Sequence, residues 1–367
     1  MVFLKKSNYF QTWLLFLFFL VFILNPLAVY KGAKYGVELW LNIIIPTLLP
    51  FFIVAELLNK NDVFLKMSKV FEFLLRPLFN VPGVATIPIV MGFTSGFPVG
   101  SVVVANLREQ KLITQEEGER LLAFTNNVSP LFLLSTIGVA LLNNPTYGLF
   151  LLLGHYLASL IIGLGLGITA RRKNIFRQNN FELINSYYYL PFGRILQDAI
   201  ESAFKKIFLV GGFIIFFAVL ISLVEYLMLS ESSLFTAIIA GILEISNGVK
   251  RIAELNLTPL SKLIFLSFIL SLGGVSVFAQ ILAIISKTDL TAKKYFITRP
   301  IHGLISTIIT TALYFNFSLP VHNINYVIVF NSPNLIKISL ILALIVYLVF
   351  QLFYLITLII NKVKIIS

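Results

Sequence analysis

Two stretches of the sequence decide the fold: GFTSGFPVG at residues 92–100 and FTNNVSPLF at residues 124–132. Both lie in long apolar surroundings, yet they concentrate glycines, prolines and hydrogen-bonding side chains, several of which weaken a helix. Irregular backbone at membrane depth is tolerated only where it is buried in protein or lines a wet cavity. The two stretches therefore predict breaks in membrane helices and, at those breaks, a binding site.

The residues around these stretches are those of a membrane protein. Of the 367 residues, 58% are hydrophobic and only 12% are charged, about half the charged fraction of a soluble domain. Apolar runs long enough to span a bilayer as helices lie near 10–30, 37–58, 149–169, 207–229, 301–318 and 338–360. The runs lack the alternation of a β-barrel. We expect an all-α polytopic membrane protein whose first run is a retained helix rather than a cleaved signal peptide.

The second half of the chain repeats the order of the first. GILEISNGV at 241–249 corresponds to the Gly-rich stretch, and SLGGVSVFA at 271–279 corresponds to FTNNVSPLF, at an offset of roughly 150 residues. Basic residues predict that the linker at 171–206 and both termini are cytoplasmic, and Lys287, Lys293, Lys294 and Arg299 fall on the same side. The matched helices near 37–58 and 207–229 then run in opposite directions. The pattern predicts two inverted repeats with re-entrant helical hairpins and discontinuous transmembrane helices.

These features divide the chain into five predicted parts. They are an N-terminal transmembrane helix at 1–36, a first repeat at 37–148, a transmembrane helix with a basic cytoplasmic linker at 149–206, a second repeat at 207–290, and C-terminal transmembrane helices at 291–367. Within the first repeat, the polar residues of 62–79 fall on one helical stripe. That amphipathic segment either lies flat in the membrane interface or packs on the cytoplasmic side.

Polar side chains at the four irregular segments form the candidate substrate site. They are Thr94, Ser95, Asn126, Asn127, Ser129, Glu244, Ser246, Asn247, Ser276 and Gln280. Pro130 suits the first turn of a second half-helix, whose free amides would face an anion. Two structural alternatives stay open: a face of small residues for helix packing at 92–100 and an interhelical amide network at 124–132.

Glu244 is the most informative of these residues. A carboxylate within a transmembrane helix costs on the order of 2.5–3.5 kcal/mol on the lenient insertion scale, so it indicates a function by default. Glu244 would carry a proton or cation, or organise its hairpin. The alternative is a structural ion pair with Lys250 or Arg251.

Other functions are disfavoured by what the sequence contains. The net charge of +12 comes from loop residues that orient the protein, so we expect no nucleic-acid partner. The chain has no cysteine, and its histidines, His155, His302 and His322, are widely spaced. We therefore predict no metal, no cofactor and no catalytic residues. The expected partners are the lipid bilayer and a small-molecule anion, while a homo-oligomer and a coupling proton or cation stay open.

The stretch GFTSGFPVGSVVVANLREQKLIT, together with FTNNVSPLF and GILEISNG, resembles the YlbJ-type sporulation integral membrane proteins of the nucleoside-recognition, or gate-domain, family. The resemblance covers about 37–300. The residues alone leave open which broken segments are hairpins. The resemblance implies hairpins at 82–107 and 234–257, and interrupted spans at 114–142 and 262–286.

The resemblance also implies a function. It points to a spore-forming source and to transport of dipicolinate from the mother cell towards the forespore, across the outer forespore membrane. SLGGVSVFAQILAI is similar, more distantly, to a helix of concentrative nucleoside transporters, but Thr94 and Ser95 occupy the region of those transporters' hairpin carboxylate. We expect a small organic anion, carried by a hairpin-bearing bundle that moves against a scaffold. A nucleoside-like or ion transporter and a non-transporting sporulation scaffold are the alternatives.

The predicted topology can be tested with single cysteines in this cysteine-free chain. A cysteine at Asn179 should be protected from an impermeant thiol reagent in intact cells and become labelled after permeabilisation, because the linker is predicted to be cytoplasmic. A cysteine at Lys31, predicted to lie on the outer side, is the accessible control. Labelling at position 179 in intact cells would contradict the topology.

Overall fold

A computed structural model describes residues 9–60, 63–172, 191–228 and 233–317. All regular structure in these ranges is helical, as predicted. The predicted span at 338–360, most of the basic linker and His322 lie outside the described residues.

The chain begins with a sharply bent pair of helices. Helix α1, Tyr9–Leu24, is followed by α2, Pro26–Leu39, which continues through a π-helical turn, Trp40–Ile44, into α3, Ile45–Lys60. The axes of Leu15–Leu24 and Pro26–Ile44 differ by 98°. The sequence placed the first span at 10–30, but the helix ends earlier because Pro26 starts the next one, where its missing N–H costs nothing.

Helix α4, Val63–Phe79, is the amphipathic segment. It is joined to the first hairpin by a short 3-10 helix, Gly83–Ala85, and its last turns meet the segment Gly83–Thr94 at 89°. Leu75 is buried, whereas Phe73 is 75% exposed. The helix therefore buries one face against the rest of the protein and also exposes an apolar edge. This combines features of the two predicted alternatives.

Both predicted hairpins are present. Helices α5, Thr86–Thr94, and α6, Val99–Glu109, form the first hairpin, and a Cβ on either Gly92 or Gly100 would collide with the carbonyl of Thr125. Further along the chain, helices α10, Leu234–Leu243, and α11, Ile245–Glu254, form the second hairpin. There the backbones of Gly241 and Gly248 touch. Glycine is needed at these positions because any side chain would push the two helices of the hairpin apart.

Both predicted interrupted spans are present as well. Helix α7, Gln115–Thr125, ends at a non-helical stretch, 126–129, and the chain resumes its helix at Pro130 and continues as a π-helix, Phe132–Leu141. Helix α12, Pro259–Leu272, is separated from α13, Gly274–Ile285, by Gly273. Gly273 and Gly274 have φ angles of +83° and +70°, a left-handed conformation that glycine adopts without strain.

Three long helices complete the described fold: α8, Pro145–Arg172, α9, Phe192–Met228, and α14, Lys293–Phe317. Within the described ranges, Pro145–Arg171, Phe192–Tyr226 and Pro259–Ile285 are long and apolar enough to cross a membrane, and the two bent pairs raise the number to five. The protein is thus a polytopic membrane protein with re-entrant hairpins.

The helix that runs from α2 to α3 pairs with α9. Ser222 Oγ donates to the Ala28 carbonyl at 2.8 Å, and Trp40 Nε1 donates to the Ile207 carbonyl at 3.1 Å. Residue numbers rise on one helix as they fall on the other, so the two run antiparallel, in agreement with the predicted inversion. We call this pair the arm, and we call the helices from α4 to α8 and from α10 to α14 the core.

A polar junction joins the first hairpin to the α13–α14 loop at one end of the core. Arg108 donates from Nε and Nη2 to both Asp289 oxygens, at 2.8 and 2.7 Å. This guanidinium holds the pKa of the Asp289 carboxyl below its usual range. Nearby, Lys294 and Glu119 form an ion pair at 2.8 Å. The Arg108–Asp289 bonds fasten the two repeats to each other, and the Lys294–Glu119 pair fastens the start of the C-terminal part to the first repeat.

The arm supplies a stability test. A Cβ at Gly32 would lie 2.7 Å from Val219 Cα, whereas nothing lies within 4 Å of a Cβ at Gly212. Gly32→Ala should lower the unfolding free energy by about 1–3 kcal/mol through overpacking. Gly212→Ala, on the partner helix, should be neutral or stabilising by up to about 1 kcal/mol. Equal melting temperatures for the two purified variants would contradict the close pairing.

Candidate functional site

The four broken segments converge on one cavity of about 70 Å³. The core contributes the tips of both hairpins, the break of the first interrupted span and the first turns of α13 after the second break, and the arm forms the opposite wall. The lining residues are Ile44, Leu48, Ser95, Gly96, Phe97, Val128, Ser129, Phe132, Val210, Ile214, Glu244, Ile245, Ser246, Val277 and Gln280. Sequence-distant breaks thus meet at a single site.

The tip of the first hairpin docks on the start of the second half-helix. Gly96 has a φ of +79°, and a Cβ there would lie 2.8 Å from the Ser129 nitrogen. Ser95 is fully buried and lines the cavity. Thr94 was predicted to join the site, but the structure places it on an exposed face, where its hydroxyl donates to the Val90 carbonyl at 2.8 Å. Thr94 and Ser95 are adjacent, and neighbouring residues of a helix point in different directions, so only one of the two hydroxyls faces the cavity.

Asn126 and Asn127 are buried beside the cavity without lining it. Asn126 Nδ2 donates to the Leu122 carbonyl at 2.7 Å, and Asn127 Nδ2 donates to the Phe124 carbonyl at 3.0 Å. Both amides therefore satisfy carbonyls at the end of α7. Ser101 Oγ also donates to Asn126 Oδ1 at 2.6 Å, so the contacts are those of the amide-network alternative.

Ser129 has a different position from the two asparagines. It lines the cavity, and its Oγ accepts a hydrogen bond from the Phe132 nitrogen at 3.2 Å. The hydroxyl thus caps the half-helix that begins at Pro130. The predicted helix start at this break is confirmed, with its N-terminal end facing the cavity.

Glu244 organises the second hairpin. Its carboxylate accepts hydrogen bonds from the Ser246 nitrogen at 3.0 Å, the Asn247 nitrogen at 2.8 Å and Asn247 Nδ2 at 2.7 Å. Both oxygens thereby cap the N-terminus of α11, which stabilises a negative charge. Glu244 and Ser246 line the cavity, whereas Asn247 lies behind them, fully buried.

The alternative prediction, an ion pair of Glu244 with Lys250 or Arg251, is wrong. Arg251 bonds instead with both oxygens of Glu225 on α9, one at 3.1 Å from Nη2. Lys250 lies over the ring of Tyr35, 4.5 Å from its centroid. Both cations therefore connect the second hairpin to the arm rather than to Glu244.

Ser276 and Gln280 occupy the second interrupted span. Gln280 lines the cavity, and its Nε2 donates to Ser276 Oγ, one helical turn earlier, at 3.3 Å. Ser276 is buried behind this contact. Of the ten predicted site residues, the structure brings Ser95, Ser129, Glu244, Ser246 and Gln280 to the cavity wall.

Arg299 is the residue that sequence reasoning missed. The sequence placed it with the cytoplasmic loop cations, but it lies inside α14 and is 3% exposed. Its guanidinium donates to the carbonyls of Asn126 at 3.0 Å, Ser271 at 3.4 Å and Ala123 at 2.6 Å. These carbonyls belong to the C-terminal ends of α7 and α12, where helix dipoles favour a cation.

His155 on α8 makes a second bridge between the same two breaks. The Val128 nitrogen donates to His155 Nε2 at 3.2 Å, so this nitrogen carries no proton, and Nδ1 lies 3.2 Å from Ser271 Oγ. The ring centroid lies 4.5 Å from that of His302, with the two planes tilted by 41°, and His302 Nε2 contacts the His155 carbonyl at 2.8 Å. The two histidines are distant in sequence, which is why spacing gave no signal for them.

Four helix breaks around one cavity, in an all-helical chain with two re-entrant hairpins, define a polytopic membrane protein of the gate type. In agreement, the family model described as Nucleoside recognition (Gate) matches residues 41–171. The chain is also 33% identical over 322 residues to the sporulation integral membrane protein YlbJ of Bacillus subtilis (strain 168). That alignment covers 80% of this chain and 79% of the relative.

The chain belongs to the family of YlbJ-type sporulation integral membrane proteins. The predicted resemblance is therefore confirmed over most of the chain, and the gate model covers the part that contains the first hairpin and the first interrupted span. No solved structure matches the chain.

Arg299 can be tested as the residue that holds both breaks. Arg299→Met should lower the unfolding free energy by about 3 kcal/mol, because three buried carbonyls lose their donor. Arg299→Lys keeps the cation and should fall between wild type and Met. Arg171→Met, at an exposed position of α8, is the control and should change stability by less than about 0.5 kcal/mol. Unfolding of the purified variants measures this, and a stable Arg299→Met would contradict the assignment.

Proposed function

We propose that this protein transports a small organic anion, with dipicolinate as the leading candidate, by movement of the core against the arm. The observation that carries the proposal is the cavity itself. It lies between the core and the arm, and both hairpin tips and both interrupted spans contribute to its wall. In secondary transporters, binding sites occur at such discontinuous helices, between inverted repeats.

The size of the cavity supports a moving mechanism. Pockets for small molecules usually enclose about 300–1,000 Å³, several times the 70 Å³ found here. The cavity in this conformation is therefore smaller than a site that holds a small organic molecule. The arm side of its wall consists of apolar side chains, Ile44, Leu48, Val210 and Ile214, which can separate from the core without leaving a buried polar group unpaired.

The choice of substrate rests on the family. The relative in Bacillus subtilis is named for sporulation, and dipicolinate is the anion that the family resemblance implies. Hydroxyls of Ser95, Ser129 and Ser246 offer neutral hydrogen-bond donors at the cavity, and the N-terminal end of the half-helix at Pro130 offers a positive field. We place both termini in the cytoplasm and the protein in the outer forespore membrane as part of the same proposal. The role is transport and not catalysis.

Flux into proteoliposomes tests the proposal. Labelled dipicolinate should enter vesicles that contain the purified protein, and uridine and inorganic ions serve as competing candidates. Uptake of uridine but not of dipicolinate would move the assignment to a nucleoside-like transporter. No flux of any of them would favour the non-transporting scaffold.

A pair of adjacent variants on α9 connects flux to the cavity. Val210 lines the cavity and is 8% exposed, whereas Leu209 is 46% exposed on the outer face. Val210→Phe should fill the cavity and reduce uptake at least tenfold, while Leu209→Phe, with the same new ring, should keep wild-type uptake. Equal uptake by both variants would show that the transported molecule does not use this cavity.

A further inference from the structure

Glu244 brings a carboxyl group to the cavity. Its side chain is 4% exposed and forms part of the wall. Its carboxylate accepts hydrogen bonds from N–H groups of Ser246 and Asn247. Such bonds favour the ionised form of a carboxylate, whereas its burial opposes that form, so a counter-ion would stabilise the charge. Among the described residues that line the cavity, Glu244 is the only charged one.

Neighbouring cations are engaged elsewhere. Arg251 is paired with Glu225, and Lys250 lies over Tyr35. The N-terminus of α11 offsets part of the negative charge, but α10 ends at Leu243, so the carbonyl end of that helix adds negative potential on the other side of Glu244. A mostly apolar cavity therefore contains one carboxyl group and, among the described residues that line it, no cationic side chain.

Ser95 provides an independent observation. Its side chain is 0% exposed and lines the same cavity, on the hairpin of the other repeat. Within the described part of the chain, Ser95 Oγ has no hydrogen-bond partner. A buried hydroxyl without a partner is unfavourable, so a ligand that contacts this oxygen would remove that cost.

The chemistry of the wall specifies the ligand. Its polar side chains offer oxygen atoms from Glu244, Ser95, Ser129, Ser246 and Gln280, and hard cations prefer oxygen ligands. A single carboxylate balances a single positive charge. The volume of about 70 Å³ holds an ion with one or two waters, since a water occupies about 30 Å³. Within the described ranges no three His, Cys, Asp or Glu side chains cluster, which differs from a transition-metal site.

We propose that Glu244 and Ser95 form a binding site for a hard monovalent cation, such as Na⁺, between the two hairpin tips. Bound there, the cation neutralises the carboxylate and gives Ser95 Oγ a partner. It also draws the hairpins of the two repeats towards each other, because each hairpin supplies one ligand.

The cation site deepens the proposed function and rests on it for its consequence. An anionic substrate would be repelled by an ionised Glu244 in the same cavity, and a cation removes that repulsion. The two ligands then bind cooperatively, and by linkage each raises the affinity of the other by the same factor. We expect Na⁺ to lower the apparent dissociation constant for dipicolinate at least about fivefold, the lower end of typical coupling between sites.

Cation binding is tested first without any organic ligand. The melting temperature of the purified full-length protein is measured at fixed pH against Na⁺, with choline replacing it to keep ionic strength constant. Wild type should be stabilised by Na⁺ in a saturable way. Glu244→Gln should abolish the Na⁺ response. Ser95→Ala should raise the half-saturating Na⁺ concentration roughly tenfold, because one ligand is lost.

Ser95→Ala keeps the test decisive if Glu244→Gln fails to fold, since Ser95 Oγ makes no hydrogen bond within the described residues. Thr94→Ala is the matched control, because Thr94 is the neighbouring hydroxyl but is exposed and bonds within its own helix; it should respond to Na⁺ as wild type does. A flat wild-type response, an unchanged response in Ser95→Ala, or stabilisation by Ca²⁺ and not Na⁺ would overturn the site. If Na⁺ binds but dipicolinate is not transported, the cation site stands and the proposed substrate falls.

Discussion

The guanidinium of Arg299 satisfies a constraint on which the rest of the structure depends. A helix that breaks inside a membrane leaves carbonyls at its C-terminal end without partners, and lipid cannot supply them. Arg299 donates to such carbonyls from both interrupted spans at once, through Asn126 and Ala123 of one and Ser271 of the other. Each break can exist because the other lies close enough to share the same cation.

Fixed charges and helix ends are matched throughout this region. Arg299 lies where two helices end, and Glu244 lies where α11 begins, so each buried charge meets helix dipoles of opposite sign. His155 connects the same two breaks with uncharged groups. Buried charges are usually stabilised by partners of opposite charge, but here the backbone takes that role. At the cavity, the carboxyl of Glu244 is held by N–H groups and not by a cationic side chain.

Local chemistry was enough to predict the breaks but not their cross-connections. Glycines and a proline in 92–100 and the polar run in 124–132 predicted two helix breaks, because helix breakers act on the residues beside them, whereas the family resemblance assigned the first break to a hairpin and the second to an interrupted span. Ser95 and Thr94 could not be separated, since the hairpin tip sets which hydroxyl faces inward. Arg299 looked like a loop cation because only the fold shows the carbonyls of Asn126 and Ser271 around it.

The two hairpins are bonded to different parts of the protein, and this difference constrains any movement of the core against the arm. The first hairpin is fastened inside the core by Arg108 and Asp289. The second is fastened to the arm, through Arg251 with Glu225 and Lys250 with Tyr35. Separation of core and arm therefore leaves the first set of bonds intact and must break the second. The Arg251–Glu225 pair is mostly buried, so its loss costs more than that of an exposed pair, and a separation of core and arm would change the contacts of the second hairpin.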